Sequence, residues 1–275
     1  MTSAMQKLDD GTIQLTIPIP WSEVQKTRET VISEAISTAE MPGFRKGKAP
    51  REVVEKSLDE TRLRDEVLKK LLPQSYITAV QDHKLQPIIN PKISVQKIED
   101  GKDWEFLAQT VELPEIILGK YKQEVKKITA KSKIAIPGKE KTEVNFDEVM
   151  KAVLDSAQLT IPALLIEGEV DRQLSNTLDE IKKLGLSLDQ YLSSTGKTAE
   201  ALREDYRKKA ENDIKIEFIL QKIAEEEKIS VEEKEIEEAV QKAKDEDERQ
   251  HLEANKYLLA NIIRQQKTLD FLRNL

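Results

Sequence analysis

The chain has 275 residues, of which 38% are hydrophobic, 35% charged and only 4% aromatic, and its formal net charge is −7. This length allows one large domain or two of ordinary size, and the composition favours helices with wide solvated faces over a compact barrel. The chain has no cysteine, which excludes disulfides and thiolate metal sites, and its negative charge argues against nonspecific coating of nucleic acid.

The sequence lacks the apolar segments that a membrane protein needs. No apolar run approaches the roughly 20 residues of a membrane helix. The first residues, MTSAMQKLDDGTIQ, have neither a basic head nor an apolar signal core. We therefore expect a cytoplasmic protein without a membrane partner.

Residues 1–118 predict an α+β domain. Residues 12–20, TIQLTIPIP, alternate apolar side chains as a strand does, and residues 21–40 repeat them at helical spacing. Two helical stretches follow, the second bent or interrupted at Pro73, and strands then flank the turn EDGKD. This order is typical of an antiparallel sheet covered by helices.

Residues 119–145 have a different composition. Between Gly119 and Glu143 there are eight lysines, three glutamates and few large apolar residues, which indicates a lysine-rich linker.

Residues 146–275 have helical periodicity throughout, which predicts an all-α domain. One helix of about 30 residues would extend roughly 45 Å, so we expect an elongated molecule. Ser187 with Gln190, and Ser230 with Glu233, have the spacing of capping boxes that begin helices. A final helix is expected from about Glu248 to the end of the sequence.

The sequence has few residues in patterns that indicate catalysis. Gly196, Lys197 and Thr198 resemble the end of a phosphate-binding loop, but position 191 is Tyr191 where the first glycine is required, so an interhelical turn is the better interpretation. The two histidines are far apart in sequence, and no G-x-S-x-G motif or cysteine nucleophile is present. We therefore predict no catalytic residue, no metal site and no cofactor.

The segment MPGFRKGKAP, residues 41–50, is basic in an acidic chain, and we call it the basic loop. It can be a turn whose charges only keep it soluble. Against that interpretation, Phe44 is a large apolar side chain between Gly43 and Gly47, which indicates inward packing or contact with a partner. Arg45, Lys46 and Lys48, near Arg51 and at the start of a helix, would attract phosphates.

This segment resembles the signature G-F-R-x-G-x-x-P of the trigger factor family of ribosome-associated bacterial chaperones. The resemblance implies that the loop docks beside the nascent-chain exit tunnel of the large ribosomal subunit, on a ribosomal protein and on RNA. The implied ribosome-binding residues are Gly43, Phe44, Arg45, Lys46, Gly47, Lys48 and Pro50.

The helical half is similar to the chaperone domain of the same family, which is SurA-like. The similarity lies in IPALLIEGEVDRQL, YLSSTGKTAEALREDYRKKAE and the ending YLLANIIRQQKTLDFLRNL. It implies a cradle that holds nascent or unfolded polypeptides without ATP. Candidate client-binding residues are Leu165, Val170, Leu174, Leu258 and Ile262, although most apolar residues of such stripes belong to the core.

The linker departs from the family pattern. Trigger factors commonly carry an FKBP-type prolyl isomerase domain between these two regions, and such a domain needs on the order of 100 residues. Residues 119–145 are too few, so we predict a short form without isomerase activity.

Two other interpretations remain open. An RNA-binding regulator could use the same basic loop, and a SurA-like chaperone could act without ribosomes. The sequence does not decide whether the free protein forms a homodimer.

Overall fold

The computed structural model describes residues 3–40, 44, 45, 47, 50–57, 59–132 and 145–275. The chain divides into two compact units. The first unit comprises residues 1–113 and 162–164, and the second comprises residues 114–161 and 165–275.

The first unit combines an antiparallel sheet with helices, as predicted. Its strands are β1 (Ala4–Lys7), β2 (Thr12–Ile19), β3 (Lys92–Lys97) and β4 (Trp104–Val111), in the spatial order β1-β2-β4-β3. Its helices are α1 (Trp21–Thr38), α2 (Arg51–Ser57) and α3 (Glu60–Asp82). Strand β1 was not predicted, because its four residues are all exposed and carry no apolar alternation.

The core of this unit lies between the sheet and helices α1 and α3. Ile13, Leu15, Ile17 and Ile19 project from one face of β2 and are at most 5% exposed. The same core contains Trp104, Phe106 and Ala108 of β4, Val24, Val31 and Ile32 of α1, and Leu63, Val67, Leu71 and Ala79 of α3. The period-two pattern of β2 therefore predicted a buried sheet face correctly.

Helix α3 continues through Pro73, so the predicted interruption did not occur. A proline inside a helix removes one backbone hydrogen bond and disfavours the turn before it. Here Leu63, Val67, Leu71 and Ala79 anchor the helix in the core on both sides of the proline, which offsets that cost.

The second unit is mainly helical, as predicted. Its helices are α4 (Tyr121–Ser132), α5 (Phe146–Ser156), α6 (Ala163–Lys183), α7 (Leu188–Thr195), α8 (Ala199–Glu226), α9 (Glu233–Gln241), α10 (Glu246–Ala254) and α11 (Lys256–Asn274). The first residues of α6 are assigned to the first unit. The last predicted helix is divided at Asn255 into α10 and α11.

The structure differs from the linker interpretation over residues 121–132, which form α4. Tyr121 and Val125 are buried in a core that they share with α5, α8 and α11. A helix that contributes buried side chains belongs to its unit, because unfolding it would expose that apolar surface. Residues 133–144 lie outside the described residues. The domain limits at residues 118 and 145 remain a prediction.

Of the two predicted capping boxes, one is present in the structure and the other is not. The capping box of Ser187 and Gln190 is present at α7. The one expected at Ser230 is wrong, because α9 begins at Glu233, and the Glu232 backbone N–H donates to the Glu235 carboxylate instead (2.8 Å). Glu235 also accepts a hydrogen bond from Lys267 Nζ, so a contact with α11 supports this helix start.

Candidate functional site

The basic loop connects α1 to α2. Of its predicted ribosome-binding residues, Phe44, Arg45, Gly47 and Pro50 are described, whereas Gly43, Lys46 and Lys48 lie outside the described residues. Phe44 is 43% exposed and Arg45 is exposed as well. Of the two alternatives for Phe44, inward packing is at most partial, and much of its ring is available to a partner.

Gly47 has a structural role in this loop. Its backbone has a φ of +71°, and its N–H donates to the Ala39 carbonyl near the end of α1 (3.1 Å). A Cβ at this position would lie 2.6 Å from the Ser37 carbonyl oxygen, closer than side chains approach a backbone atom. The glycine therefore allows the loop to turn back against α1.

Arg51 differs from Arg45 in its charge environment. Its guanidinium pairs with Glu29 of α1 (2.7 Å) and with Glu55 of α2 (2.6 Å). Hydrogen bonds to these two carboxylates, first to Glu55, raise the pKa of Arg51 above its usual value. Arg51 thus joins α2 to α1 and its charge is neutralised locally, whereas Arg45 has no ion-pair partner among the described residues.

Helix α2 has only seven residues, Arg51–Ser57. The Pro50 carbonyl accepts hydrogen bonds from the N–H groups of Val53 and Val54, as the residue before a helix does. A helix of two turns has a small macrodipole, so attraction of phosphates must depend mainly on the basic side chains of the loop.

A groove of about 380 Å³ lies between α8 and α11 in the second unit. Tyr257, Leu258 and Ile262 line it from α11 and are 82%, 57% and 54% exposed. Leu220 and Ala224 of α8 line it too, and both are buried. The groove therefore offers apolar side chains to solvent over a packed base, as surfaces that bind apolar ligands do.

The two predicted client-binding stripes have different environments. Leu258 and Ile262 are exposed, as client contact requires. Val170 is 1% exposed and packs with Ile161, Ile166 and Ala210, so its prediction as a client contact was wrong. The helical stripe of α6 predicted burial against a neighbour correctly, and that neighbour is α8.

Leu165 and Leu174 lie between these extremes. Both are half-buried and pack against the same core as Val170, so each offers only part of its side chain to a client.

Sequence reasoning missed two exposed apolar features. Leu184 and Leu186, in the turn between α6 and α7, are 74% and 42% exposed, and Leu188, the first residue of α7, is 40% exposed. These leucines are two residues apart, which does not fit the 3.6-residue period of a helix, so helical periodicity did not select them. The available signal was a leucine that recurs within a turn. Tyr257, beside Leu258, was missed because a single aromatic residue next to an apolar helical stripe does not recur at any spacing that would indicate exposure.

The described residues contain no group of three histidine, aspartate or glutamate side chains arranged to hold a metal ion. None of the helices in the described ranges has the length and apolar composition needed to cross a membrane.

Comparisons with known proteins cover both units. A family profile described as bacterial trigger factor protein matches residues 1–155, and one described as the trigger factor C-terminus matches residues 120–274. A solved structure described as "Promiscuous Substrate Recognition in Folding and Assembly Activities of the Trigger Factor Chaperone" has a TM-score of 0.68 and 14% identity. The match covers 100% of this chain and 99% of that one, and it shows similarity of fold.

Curated relatives named trigger factor match part of the chain. The relative from Moorella thermoacetica is 34% identical over 121 residues, which are 44% of this chain and 27% of the relative. The relative from Natranaerobius thermophilus is 31% identical over 122 residues, with the same coverage. The relative from Lactococcus lactis subsp. cremoris is 30% identical over 167 residues, 61% of this chain and 36% of the relative. These matches span between 27% and 36% of the relatives' length. Because each family profile matches more than half of the chain, the chain belongs to the trigger factor family.

Proposed function

We propose that this protein is an ATP-independent chaperone that docks near the exit tunnel of the large ribosomal subunit and holds nascent or unfolded polypeptides. The observation that carries the proposal is the exposed pair Phe44 and Arg45 in a loop whose sequence matches the trigger factor signature. Phe44 would bury its ring against the ribosomal surface, and Arg45, with Lys46 and Lys48, would pair with phosphates or acidic side chains.

The pairing of the surrounding charges supports the loop as the docking element. Arg28 pairs with Glu60 and Lys70 with Glu34, both across the α1–α3 interface, and Arg51 joins α1 to α2. These cations already have carboxylate partners on a neighbouring helix, whereas Arg45 is available to a partner. A ribosomal contact through Arg45 would therefore break no ion pair among the described residues of the unit.

Client holding is proposed for the helical unit, which offers two separate apolar surfaces. One is the groove with Tyr257, Leu258 and Ile262, and the other is the turn with Leu184, Leu186 and Leu188. Each surface is small and would bind an unfolded segment weakly. Several weak contacts to one flexible chain gain affinity through effective concentration, and this binding needs no nucleotide.

We further propose that the protein has no prolyl isomerase activity. The two family profiles overlap at residues 120–155, and α4 and α5 occupy the described part of that range. Residues 133–144 are too few for a domain of roughly 100 residues.

Ribosome co-sedimentation tests the docking role. The variant Phe44→Ala/Arg45→Ala/Lys46→Ala should lose at least about 100-fold in ribosome affinity, because an aromatic anchor and two charge contacts are removed. Its circular dichroism melt should stay unchanged. As a matched control, Tyr257→Ala/Lys182→Ala/Lys183→Ala removes one exposed aromatic and two exposed cations elsewhere. If the loop variant binds ribosomes as the wild type does, the docking role is wrong.

Two further measurements separate the alternatives. An RNA-binding regulator would be displaced from ribosomes by free RNA as efficiently as by intact ribosomes, whereas a docking chaperone would not. A SurA-like chaperone that does not use ribosomes would suppress aggregation of denatured lysozyme without co-sedimenting.

A peptide assay tests the absence of isomerase activity. Isomerisation of a short proline peptide should proceed at its uncatalysed rate, tens to hundreds of seconds at 25 °C. Clear acceleration that scales with protein concentration would contradict this part of the proposal.

A further inference from the structure

Strand β3, Lys92–Lys97, is one of the two edge strands of the sheet in the first unit, and β1 is the other. Strand β3 pairs with β4 on one side, and the described residues place no strand on its other side. All six of its residues are exposed. The outer edge of a strand carries backbone N–H and C=O groups that can pair with an added strand.

The centre of β3 is apolar on the side of the sheet that faces the core. Ile93 is paired with Ala108 and Val95 with Phe106, and both partners are 0% exposed. Directly opposed residues project from the same face, so Ile93 and Val95 extend the core face of the sheet. They are nevertheless 37% and 57% exposed, which shows that the helices covering β2 and β4 leave them partly uncovered.

The ends of β3 are protected, whereas its centre is not. Lysine side chains and bulges are common devices that keep edge strands from pairing. Lys92 and Lys97 lie at the two ends, and the pairing with β4 is irregular between Val95 and Lys97. An added strand would therefore fit along Ile93 to Val95 and meet a lysine at each end.

The charges of β3 favour a particular guest. Lys92 lies on the face opposite to Ile93 and Val95, because side chains alternate along a strand. In the register with β4, Lys92 lies opposite the neutral Gln109, whereas Lys97 lies opposite Glu105, so no β4 carboxylate directly opposite Lys92 competes with one on a guest. A matching guest carries apolar side chains on one face and a carboxylate on the other.

We propose that the outer edge of β3 binds an extended segment of a client polypeptide as a fifth strand, with alternate apolar side chains against Ile93 and Val95 and a carboxylate near Lys92. Backbone pairing supplies affinity that depends little on sequence, as a chaperone with varied clients requires. This inference rests on the proposed chaperone function, and it adds a site for extended segments in the first unit.

The size of the site favours a client over a second copy of this chain. A stable interface between folded proteins buries roughly 1,200–2,000 Å² in total, which two six-residue strands alone do not supply. A client segment needs only weak affinity here, because its neighbouring segments are held at other surfaces of the same chaperone.

The test uses the full chain and a labelled, end-capped peptide, Asp-Val-Thr-Val-Thr-Val-Asp, followed by fluorescence anisotropy. Val95→Lys should weaken binding at least tenfold, because it places a charge on the apolar face. Ser94→Lys adds the same charge on the opposite face and should leave binding unchanged or slightly tighter. Lys92→Glu should weaken binding about threefold and reverse the preference toward a peptide with lysine ends.

A peptide methylated on alternate backbone nitrogens separates strand pairing from simple apolar contact. It keeps every side chain but cannot donate to β3 from those positions, so it should not bind. Equal binding of the methylated peptide, or equal binding by Val95→Lys, would overturn the inference. A third result would also overturn the inference: sedimentation that shows a wild-type dimer, which Val95→Lys dissociates and the peptide does not. The occupant of the β3 edge would then be a second copy of this chain.

Failure of this inference can be distinguished from failure of the proposed function. The loop variant Phe44→Ala/Arg45→Ala/Lys46→Ala should keep peptide binding while losing ribosomes. If the peptide fails to bind the wild type and ribosome docking still depends on the loop, only the β3 site is wrong. If ribosome docking does not depend on the loop but the peptide binds as expected, the docking role is wrong and the β3 site stands.

Discussion

The two units use their apolar residues differently. In the first unit, all four isoleucine and leucine side chains on the inner face of β2 are at most 5% exposed. In the second unit, α11 has Leu259 at 9% exposure beside Leu258 at 57%, and Ile262 at 54%. The β2 part of the sheet face is covered by the layer of helices α1 and α3, whereas α11 is covered only where a neighbouring helix touches it. Apolar periodicity therefore predicts the core of the first unit better than it separates core from binding surface in the second.

The proposed binding elements differ in whether one segment or two separate segments of the chain form them. The basic loop is one continuous segment, so its residues could be selected together from the sequence. The groove combines α8 with α11, whose contacting residues are separated by about 40 positions. Five predictions follow from this comparison and from the contacts of the second unit, beginning with the largest expected effect.

Gly119→Ala should destabilise the second unit by about 3–5 kcal/mol. Gly119 has a φ of +58°, and a Cβ there would lie 2.3 Å from the backbone oxygen of Ser156. Gly196 is the matched control, because its φ is +65° but a Cβ would meet nothing within 4 Å. Gly196→Ala should therefore cost only about 1–2 kcal/mol. Urea unfolding followed by circular dichroism measures both values, and equal losses would show that close approach at Gly119 is unimportant.

Ribosome affinity should decrease steeply with salt. Three phosphate contacts, by Arg45, Lys46 and Lys48 of the basic loop, imply a log–log slope of about −2 to −3. Between 50 and 200 mM salt, a slope of about −3 weakens binding roughly 60-fold. Client binding in the groove should change little over the same range, because it buries apolar surface. A flat response for ribosomes would mean that the contact is mainly apolar.

Val170→Ala should lower the free energy of unfolding by about 2 kcal/mol, since it removes two buried methyl groups and leaves a cavity. Val170→Ala should reduce client holding only in proportion to the fraction of the protein that it unfolds.

The surface variant Tyr257→Ala/Leu258→Ala/Ile262→Ala should weaken client holding and leave the stability of the fold nearly unchanged, the opposite of Val170→Ala. Its unfolding midpoint should change little, because these side chains are mostly exposed, while suppression of denatured lysozyme aggregation should decrease severalfold. Aggregation kinetics and urea midpoints, measured on both variants, would contradict the assignment if the surface variant still protected fully.

Tyr121→Phe should cost about 1 kcal/mol at pH 7. The Tyr121 hydroxyl donates to Glu227 (2.9 Å), and Lys122 pairs with the same carboxylate (2.6 Å). Burial, and then the bond to Glu227, raise the pKa of Tyr121, so the phenol stays protonated and donates.

The effect of Tyr121→Phe should depend on pH. The bond to Lys122 and, after it, the bond to Tyr121 lower the pKa of Glu227. A lowered pKa contributes stability above the unfolded value of about 4.3, and that contribution is lost as the pH falls through the folded value. The difference between wild type and variant in urea midpoint should therefore shrink on going from pH 7 to pH 3. Tyr257→Phe, at an 82% exposed residue, should have no effect at either pH.

Much of the fold followed from local patterns, and the exceptions have identifiable causes. The capping box of Ser187 and Gln190 is complete within four residues, so neighbouring atoms suffice to form it. The box expected at Ser230 failed because Lys267, 32 residues beyond Glu235, supports a start at Glu233 instead. Helix α4 was hidden among lysines, since only Tyr121, Val125 and a few other residues contact the core.

The candidate sites also differ in whether neighbouring residues or residues distant in the chain define them. The sequence by itself determined the basic loop as a candidate site, because its glycines, aromatic residue and cations are contiguous in the chain. Only the tertiary structure decided that Arg51 is neutralised by Glu29, that Val170 belongs to a core, and that Leu258 and Ile262 stay exposed beside α8. Each of these outcomes depends on a residue distant in the chain, and periodicity records which face of an element is apolar but not which neighbour covers it.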